Sequence, residues 1–289
     1  MTNVHDLSTE DKYNLYPFCD HEYTPLKQVL MCPPSYFRIS EVINETQRHF
    51  VDEKIDAGRA TAQFDQLVTV LKSHGVEVLL LQPDPRFPEQ VYTRDIGFTL
   101  GNLFFQASLS EEIRQKEEVV LDKWLIKQEI LSFEIDNGTI EGGDVFIDGD
   151  QVLIGISDRT SLSAVYALQS EWEQFNIKPI PFTKKYLHLD CVFNILSAQD
   201  GLIYPPAFAE TELKWLSKNR DLIEVTAEEQ FGLATNIISI GNRVVISHPQ
   251  QKRINQELRT RGYTVEEVDV SEIVKGGGAF RCITLPILR

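Results

Sequence analysis

The chain repeats one local pattern at nearly constant spacing: a polar residue followed by an apolar segment typical of a β-strand. The pattern recurs at Asp95, Asp144, Asp190, Asn236 and Cys282, with gaps of 49, 46, 46 and 46 residues. A fixed period of this size is typical of repeat architectures. The repeat therefore predicts similar units closed into a ring, with five polar side chains converging at its centre.

Each unit is predicted to contain a hairpin, a helix and a short strand, so the fold class is α/β with ββαβ repeats. Residue pairs favoured in two-residue turns predict hairpin turns at 101–102, 148–149, 200–201 and 241–242. Helices are predicted at 110–128, 158–174, 206–217 and 249–261, with a longer helical region at 40–73 that breaks at Gly58. Short strands are predicted at 76–81, 130–135, 177–182, 222–226 and 263–268.

The fifth unit is incomplete, because only seven residues follow Cys282. The missing strand is predicted at 26–32, and its pairing with the C-terminal strand would close the ring and remove free sheet edges. Residues 1–25 precede the ring and fit no unit; a lid, a partner contact and a disordered tail are three interpretations of them. Since no linker or low-complexity segment interrupts the chain, residues 1–289 are predicted to form a single domain.

Composition excludes several classes of protein. The net charge of −15 argues against nucleic-acid binding, which requires a basic patch, and more weakly against binding to anionic membranes. No apolar run approaches the roughly 18 residues of a membrane span, and the N-terminus is acidic and polar, unlike a signal peptide. The four cysteines lack CxxC pairs, which predicts reduced thiols, no metal site and a cytoplasmic location.

Two of the repeat positions suggest nucleophilic chemistry. Cys282 follows three glycines at 276–278, which would let a backbone approach a ligand closely; it is interpreted as a nucleophile or, alternatively, as an ordinary buried cysteine. In Leu-His-Leu-Asp at 187–190, alternation would place His188 and Asp190 on one face of a strand. His188 is interpreted as a general acid/base or, alternatively, as a structural histidine.

Further charged residues accompany these positions. Glu141 and Asp144 flank two glycines that would allow both carboxylates to point inward, although a solvated loop is the alternative. Asp95 follows Arg94, and the pair is either functional or a surface ion pair. Arg114 lies in the first predicted helix and Arg159 just past the second hairpin. Both arginines are either ordinary surface residues or positioned at the mouth of a central channel.

Taken together, one cysteine, one histidine and several carboxylates suit covalent catalysis with a base held by a third group. The surplus of carboxylates predicts a cationic substrate, and a planar guanidinium matches two carboxylates in bidentate geometry. Two arginines at the rim would suit the carboxylate of an amino acid. The alternative from another functional class is a propeller that binds a partner and catalyses nothing.

Five motifs in order resemble those of the guanidino-group-modifying enzyme superfamily, which includes arginine deiminases, dimethylarginine dimethylaminohydrolases and amidinotransferases. The motifs are Thr-Arg-Asp at 93–95, Glu-Gly-Gly-Asp at 141–144, Gly-Ile-Ser-Asp-Arg-Thr at 155–160, Leu-His-Leu-Asp at 187–190 and the stretch at 276–286. The resemblance spans most of the chain. It implies a five-bladed α/β propeller with pseudo-fivefold symmetry and a buried central site.

The resemblance also implies roles for individual residues. Cys282 would be the nucleophile, His188 the acid/base and Glu141 its partner. The remaining candidates belong to the substrate site. Asp95 and Asp190 would bind the guanidinium, and Arg114 and Arg159 would bind the α-carboxylate. Asp144 and Asn236 would support this site from the interior of the ring.

The implied enzyme is a hydrolase of arginine or an N-substituted arginine, which acts through a covalent thiouronium intermediate and yields a ureido product such as citrulline. Amidino transfer to an amine is the alternative, because it would use the same residues. A small-molecule guanidino compound is the expected partner, with no cofactor. The sequence does not specify the substrate or whether the chain forms a homo-oligomer.

Overall fold

The computed structural model describes residues 16–289. Within this range, the strands form five three-stranded sheets, each combining an antiparallel strand pair with a third strand that runs parallel to the middle one. The sheets are the blades of an α/β propeller with fivefold pseudo-symmetry, which confirms the predicted fold class. Residues 1–15 of the predicted N-terminal extension lie outside the described residues.

Every blade has the same order of elements. The strands are β1 (Gln28–Met31), β2 (Glu77–Leu80), β3 (Gly97–Leu100), β4 (Leu103–Gln106), β5 (Ser132–Phe133), β6 (Val145–Asp148), β7 (Gln151–Ile156), β8 (Asn176–Pro181), β9 (Phe193–Ile195), β10 (Asp200–Ile203), β11 (Asp221–Glu224), β12 (Ile238–Gly241), β13 (Val244–Ser247), β14 (Thr264–Glu267) and β15 (Leu285–Leu288). The helices are α1 (Glu45–Phe50), α2 (Ala57–Ser73), α3 (Glu117–Gln128), α4 (Leu162–Glu171), α5 (Glu210–Leu216), α6 (Ala227–Phe231), α7 (Lys252–Thr260) and α8 (Ser271–Val274). In each blade a helix (α2, α3, α4, α5 or α7) connects the middle strand to the third strand, because a parallel pair requires a crossover connection.

The fifth blade joins distant parts of the chain. Strand β15 pairs antiparallel with β1, where Leu30 lies opposite Leu285, and β1 pairs in parallel with β2. The predicted pairing of the segment at 26–32 with the C-terminal strand is therefore confirmed.

The strand that follows each repeat position begins one to three residues after it. This short offset brings Asp95, Asp144, Asp190, Asn236 and Cys282 to the same end of five neighbouring strands, and none of the five is more than 2% exposed. Apolar clusters fill the spaces around this polar hub; one of them unites Leu30, Phe104 and Leu285 from adjacent blades. The centre of the ring is thus lined by polar side chains, whereas its stability comes from apolar packing around them.

One predicted turn is wrong. Asp200 and Gly201 lie inside β10, not in the hairpin turn. The chain turns earlier, because the hydroxyl of Ser197 accepts hydrogen bonds from the backbone N–H groups of Gln199 and Asp200. The turn at 101–102 is confirmed, and the other two lie one residue later than predicted, at 149–150 and 242–243.

The predicted helices differ mainly at their ends. The region at 40–73 divides into α1 and α2 at residues 51–56, not at Gly58, because Asp56 caps α2 by accepting a hydrogen bond from the N–H of Arg59. The segment at 110–116 is not helical, so α3 begins only at Glu117, and α5 is preceded by a separate 3-10 turn at Pro205–Ala207. Among the described residues, the helices are all too short or too polar to cross a lipid bilayer.

Candidate active site

The side chains at four of the five repeat positions contact one another or the same partner groups. The Sγ of Cys282 lies 3.7 and 3.9 Å from the two carboxylate oxygens of Asp190, and the Nδ2 of Asn236 lies 3.1 Å from the same sulfur. Asp95 faces the same region through His188, whose Nδ1 is 3.6 Å from Asp95 Oδ1. The structure therefore places a thiol, an imidazole and two carboxylates around one centre.

The segment that carries Cys282 is held by Asn236. The Oδ1 of Asn236 accepts hydrogen bonds from the backbone N–H groups of Ala279 and Cys282, at 3.1 and 3.2 Å. Gly278 packs so closely that a Cβ atom there would lie 2.8 Å from the Cβ of Cys282. The glycines at 276–278 thus allow close packing within the protein, whereas the predicted approach of this backbone to a ligand stays a prediction. Asn236 is a positioning residue for the thiol.

His188 is fixed by Glu141, because its Nε2 lies 2.7 Å from Glu141 Oε2 and both side chains are fully buried. Burial alone would lower the pKa of His188, but the charges of Asp95 and Glu141 raise it to about 9. Burial opposes the ionisation of Glu141, but the hydrogen bond with His188 outweighs it and lowers the pKa of the Glu141 carboxyl to about 2. The pair is therefore an imidazolium–carboxylate pair at neutral pH.

The backbone around His188 differs from the prediction. His188 and Asp190 do not share a strand face; they lie before and within a 3-10 turn, Leu189–Cys191, that precedes β9. The turn is held by Asp144, whose Oδ1 accepts the backbone N–H of Leu189 at 2.8 Å and whose Oδ2 accepts the hydroxyl of Ser157 at 2.7 Å. Because both carboxylate oxygens of Asp144 accept hydrogen bonds from the protein, its structural effect is to hold this turn in place.

The surroundings of Cys282 favour its thiol over its thiolate. Burial, followed by the nearby carboxylates of Asp190 and Asp95, raises its pKa well above the ordinary value, while the hydrogen bond from Asn236 lowers it in part. A nucleophilic thiolate would therefore require an additional positive charge beside the sulfur. That requirement indicates a cationic ligand at this position.

A narrow cavity next to Cys282 is lined by Asp95, one of whose carboxylate oxygens lacks a partner. Arg114 also lines this cavity, among other residues. In the described chain, Asp95 Oδ1 and His188 Nδ1 are buried and make no hydrogen bond. Buried polar groups are nearly always bonded in folded proteins. These two atoms therefore mark a place where a polar ligand would complete the hydrogen-bonding pattern.

Both predicted substrate-binding arginines reach this cavity, but they are buried and bonded to acidic groups. Arg114 Nη1 lies 2.5 Å from Asp95 Oδ2, and Arg114 also bonds to Glu117. Arg159 lies 3.3 Å from Glu111, donates to the backbone carbonyl of Ile43 at 2.8 Å and faces Glu141 at 3.8 Å. Arg114 was predicted to lie in a helix, which is wrong, because it lies in the irregular segment before α3.

One acidic and one basic residue next to the site, Glu89 and Arg281, were not predicted from the sequence. Glu89 lines the cavity, and burial raises the pKa of its carboxyl to about 7 despite the nearby Arg114. Arg281 lies with its Nε 3.4 Å from Asp190 Oδ2. Glu89 falls outside the repeat and has no sequence signal, whereas Arg281 could have been noted as the neighbour of Cys282.

Three of the site residues could also hold a metal ion. One ligand atom each from Asp95, Glu141 and His188 lies within 4.8 Å of the others. The sequence predicts no metal, and this absence stays a prediction.

The site can now be compared with known proteins. A model of the family described as N,N dimethylarginine dimethylhydrolase, eukaryotic, matches residues 33–289. The chain belongs to this dimethylarginine dimethylhydrolase family. Its membership confirms the predicted superfamily of guanidino-group-modifying enzymes.

Other members and structural relatives extend the comparison. The uncharacterized protein YkgA of Bacillus subtilis is 46% identical over 94% of this chain and 95% of its own length. The N(G),N(G)-dimethylarginine dimethylaminohydrolase of Mycobacterium tuberculosis is 27% identical over 90% of this chain and 86% of its own. The crystal structure of the N-terminal domain of ArgZ, a cyanobacterial arginine dihydrolase, bound to substrate is similar with a TM-score of 0.82. It is 25% identical and covers 90% of this chain and 97% of its own.

Proposed function

We propose that the protein hydrolyses a C–N bond in the guanidinium group of arginine or an N-substituted arginine, yielding a ureido product such as citrulline and ammonia or an amine. The class, a hydrolase of guanidino C–N bonds, is supported by the family and by the relatives named dimethylaminohydrolase and arginine dihydrolase. One observation carries the proposal. Asp95 Oδ1, a buried atom without a partner, lies in the cavity that Cys282 lines, and a second such atom, His188 Nδ1, lies 3.6 Å from it.

The charge of the substrate would activate the thiol. A guanidinium bound between Asp95 and Asp190 would neutralise the two carboxylates that raise the pKa of Cys282. Its positive charge would then favour the thiolate, and the thiol proton would leave to solvent. Asn236 Nδ2, 3.1 Å from the sulfur, would stabilise the thiolate by hydrogen bonding.

The covalent step uses the two ring nitrogens of His188, of which Nε2 is bonded to Glu141 and Nδ1 has no partner. The thiolate of Cys282 attacks the guanidinium carbon, and the imidazolium of His188 donates the proton on Nδ1 to the departing nitrogen. This nitrogen atom of the ring is free, because Nε2 is bonded to Glu141. A thiouronium intermediate remains on the sulfur. Holding the two reactants in place would supply part of the roughly 7–11 kcal/mol available to proximity effects.

Hydrolysis would then restore the enzyme. A water molecule attacks the thiouronium carbon and gives one proton to the neutral His188. The C–S bond then breaks, the hydroxyl group of the adduct loses its remaining proton to solvent, and the neutral ureido product and the thiolate are released. Arg114 and Arg159, which line the same cavity, would bind the substrate α-carboxylate after partial release from their acidic partners. These steps use only side chains of the chain; the absence of a cofactor, the location in the cell and the state of assembly stay predictions.

The nucleophile can be tested against a matched cysteine. Cys191 is also buried, and its Sγ lies 3.7 Å from the same Asp190 Oδ1. We expect Cys282→Ser to abolish ureido formation from a panel of arginine derivatives, and Cys191→Ser to retain it. Mass spectrometry of the protein after incubation with 2-chloroacetamidine should find the adduct on Cys282. Full activity of the Cys282→Ser variant would refute the proposal.

The competing transfer reaction is tested in the same assay. Hydrolysis predicts ureido product in the absence of any amine acceptor. Product that appears only when an amine such as glycine is added would instead support amidino transfer.

A further inference from the structure

A segment before β1 crosses the hub at the end opposite the cavity. We call residues 16–26 the strap. Cys19 exchanges backbone hydrogen bonds with Gly101, and the carbonyl of Asp20 accepts the N–H of Gly149 at 2.7 Å. The N–H of Leu26 donates to the carbonyl of Ile240 at 3.1 Å. These contacts lie at the hairpin turns of three blades, whereas the cavity lies where the same blades begin.

One strap side chain reaches into the hub. Glu22 is 5% exposed and forms an ion pair with Nη1 of Arg281. Its other oxygen accepts the backbone N–H of Ile147 at 3.3 Å. Burial opposes its ionisation, but the charges of Arg281, Arg94 and Arg289 hold the pKa of Glu22 below its usual value. The strap thus delivers a carboxylate to a region that otherwise carries three buried guanidinium groups.

Arg281 stands between this carboxylate and the active site. Its Nη2 donates to the carbonyl of Val145 at 2.6 Å, and its guanidinium carbon lies 3.7 Å from the centre of the Phe146 ring. The remaining nitrogen, Nε, faces Asp190 Oδ2 at 3.4 Å but makes no hydrogen bond. Both terminal nitrogens of Arg281 are therefore directed away from Asp190.

Asp190 therefore has Arg281 as an ion-pair partner but receives no hydrogen bond from it. Among residues 16–289, the hydrogen-bond donors that reach its carboxylate are the thiols of Cys191 and Cys282, which are weak donors. An arginine beside a carboxylate ordinarily forms a bidentate pair with it. Here Glu22 and the carbonyl of Val145 occupy the nitrogens that would form that pair.

We propose that Glu22 is a positioning residue for the active site: by pairing with Arg281 it prevents the terminal nitrogens of this guanidinium from forming a bidentate pair with Asp190, so that the carboxylate remains available to hydrogen-bond a cationic substrate. The inference rests on the proposed function only in assigning a cationic ligand to Asp190. Without the charge of Glu22, Arg281 would turn towards Asp190 and compete with that ligand.

Two reagents of the same shape test this competition without requiring turnover. The cationic 2-chloroacetamidine and the neutral 2-chloroacetamide both alkylate Cys282 with loss of chloride. The ratio of their rate constants measures how well the site receives a cation, because any change in thiol ionisation affects both reagents alike. We expect Glu22→Gln to lower this ratio about tenfold, the size of losing one charge-assisted hydrogen bond.

Two further variants test whether Glu22 positions Arg281 or only supports the fold. Tyr23→Phe removes a strap hydrogen bond to Asp148 without touching Arg281 and should leave the ratio unchanged. Combining Glu22→Gln with Arg281→Gln removes the competing guanidinium and should restore the ratio to at least the parent value. The double variant also removes the buried pair together, which proteins tolerate better than the loss of one partner.

The outcomes are distinct. A ratio for folded Glu22→Gln within about twofold of the parent, or an equal fall in Tyr23→Phe, overturns the proposal. If Glu22→Gln does not fold, the double variant decides, because a tenfold fall there would mean that Arg281 supports Asp190 and does not compete for it. If the parent hydrolyses no guanidine, the proposed function fails while the ratio still tests the role of Glu22.

Discussion

Gly143 allows His188 to approach the backbone, and the replacement of this glycine by alanine should disable the proposed acid/base, His188. A Cβ at this position would lie 2.6 Å from His188 Nδ1 and 3.0 Å from Asp95 Oδ1. Ordinary contact begins at 3.4 Å, so the ring would have to move by about 0.8 Å. The movement would disturb the 2.7 Å bond between His188 and Glu141.

The size of the effect follows from that displacement. A misplacement of about 1 Å in a catalytic group costs on the order of 100-fold in rate. Weakening a buried, charge-assisted hydrogen bond costs about 1.5–3 kcal/mol. We therefore expect Gly143→Ala to lose about two orders of magnitude in kcat/KM. We also expect its free energy of unfolding to fall by about 1.5–3 kcal/mol.

Ureido formation and urea denaturation measure the two effects. Gly58→Ala is the matched control, because a Cβ there meets only Asp56 Oδ1, at 3.4 Å, within α2. That substitution should stabilise the helix by at most about 1 kcal/mol and leave turnover unchanged. Alkylation of Cys282 by 2-chloroacetamidine requires no protonation of a leaving amine, so Gly143→Ala should impair it less than turnover. Parental turnover in Gly143→Ala would refute the placement of His188 as the proton donor.

Other variants test the remaining contacts of the site. Asn236→Ala removes the donor 3.1 Å from the sulfur of Cys282, so the pH at which alkylation is half-maximal should rise by about one unit; an unchanged profile would contradict this role. The pKa of His188 is raised from 6.5 to about 9, so its stabilisation is complete below pH 6.5 and is lost as the pH rises through about 9. The loss amounts to about 3 kcal/mol. Urea unfolding of Glu141→Gln should show a smaller decline over this interval than the parent, and an equal decline would exclude the ion pair as its cause. Arg159→Lys should raise KM for α-amino-acid substrates with a smaller change in kcat, because lysine cannot make bidentate contacts; an unchanged KM would remove Arg159 from the carboxylate site.

The propeller could be predicted because its cause is visible in the sequence. Each blade must bury an inner strand, and the polar residue that precedes the strand must face the hub. A spacing of 46–49 residues between these positions is therefore imposed by the geometry of the blade. The closure of the fifth blade by β1 followed from the shortage of residues after Cys282, since an unfinished sheet exposes an edge.

The sequence could not predict the contacts between residues of different blades. The turn that presents His188 depends on the carboxylate of Asp144, 45 residues before Leu189. The pairing of Glu22 with Arg281 spans 259 residues. Such contacts are set by the final packing of the ring, and no local pattern encodes them.

The closure of the ring also orders events during synthesis. Leu30 cannot meet its antiparallel partner Leu285 until the ribosome has translated nearly all of the blades. Until then β1 has one unpaired edge, which is an opportunity for pairing with other chains. Contacts so distant along the chain form slowly, because loop closure must precede them. Nascent chains of this protein are therefore expected to depend on protection from aggregation, and to acquire the Cys282 thiol in its working position only in the last stage of folding.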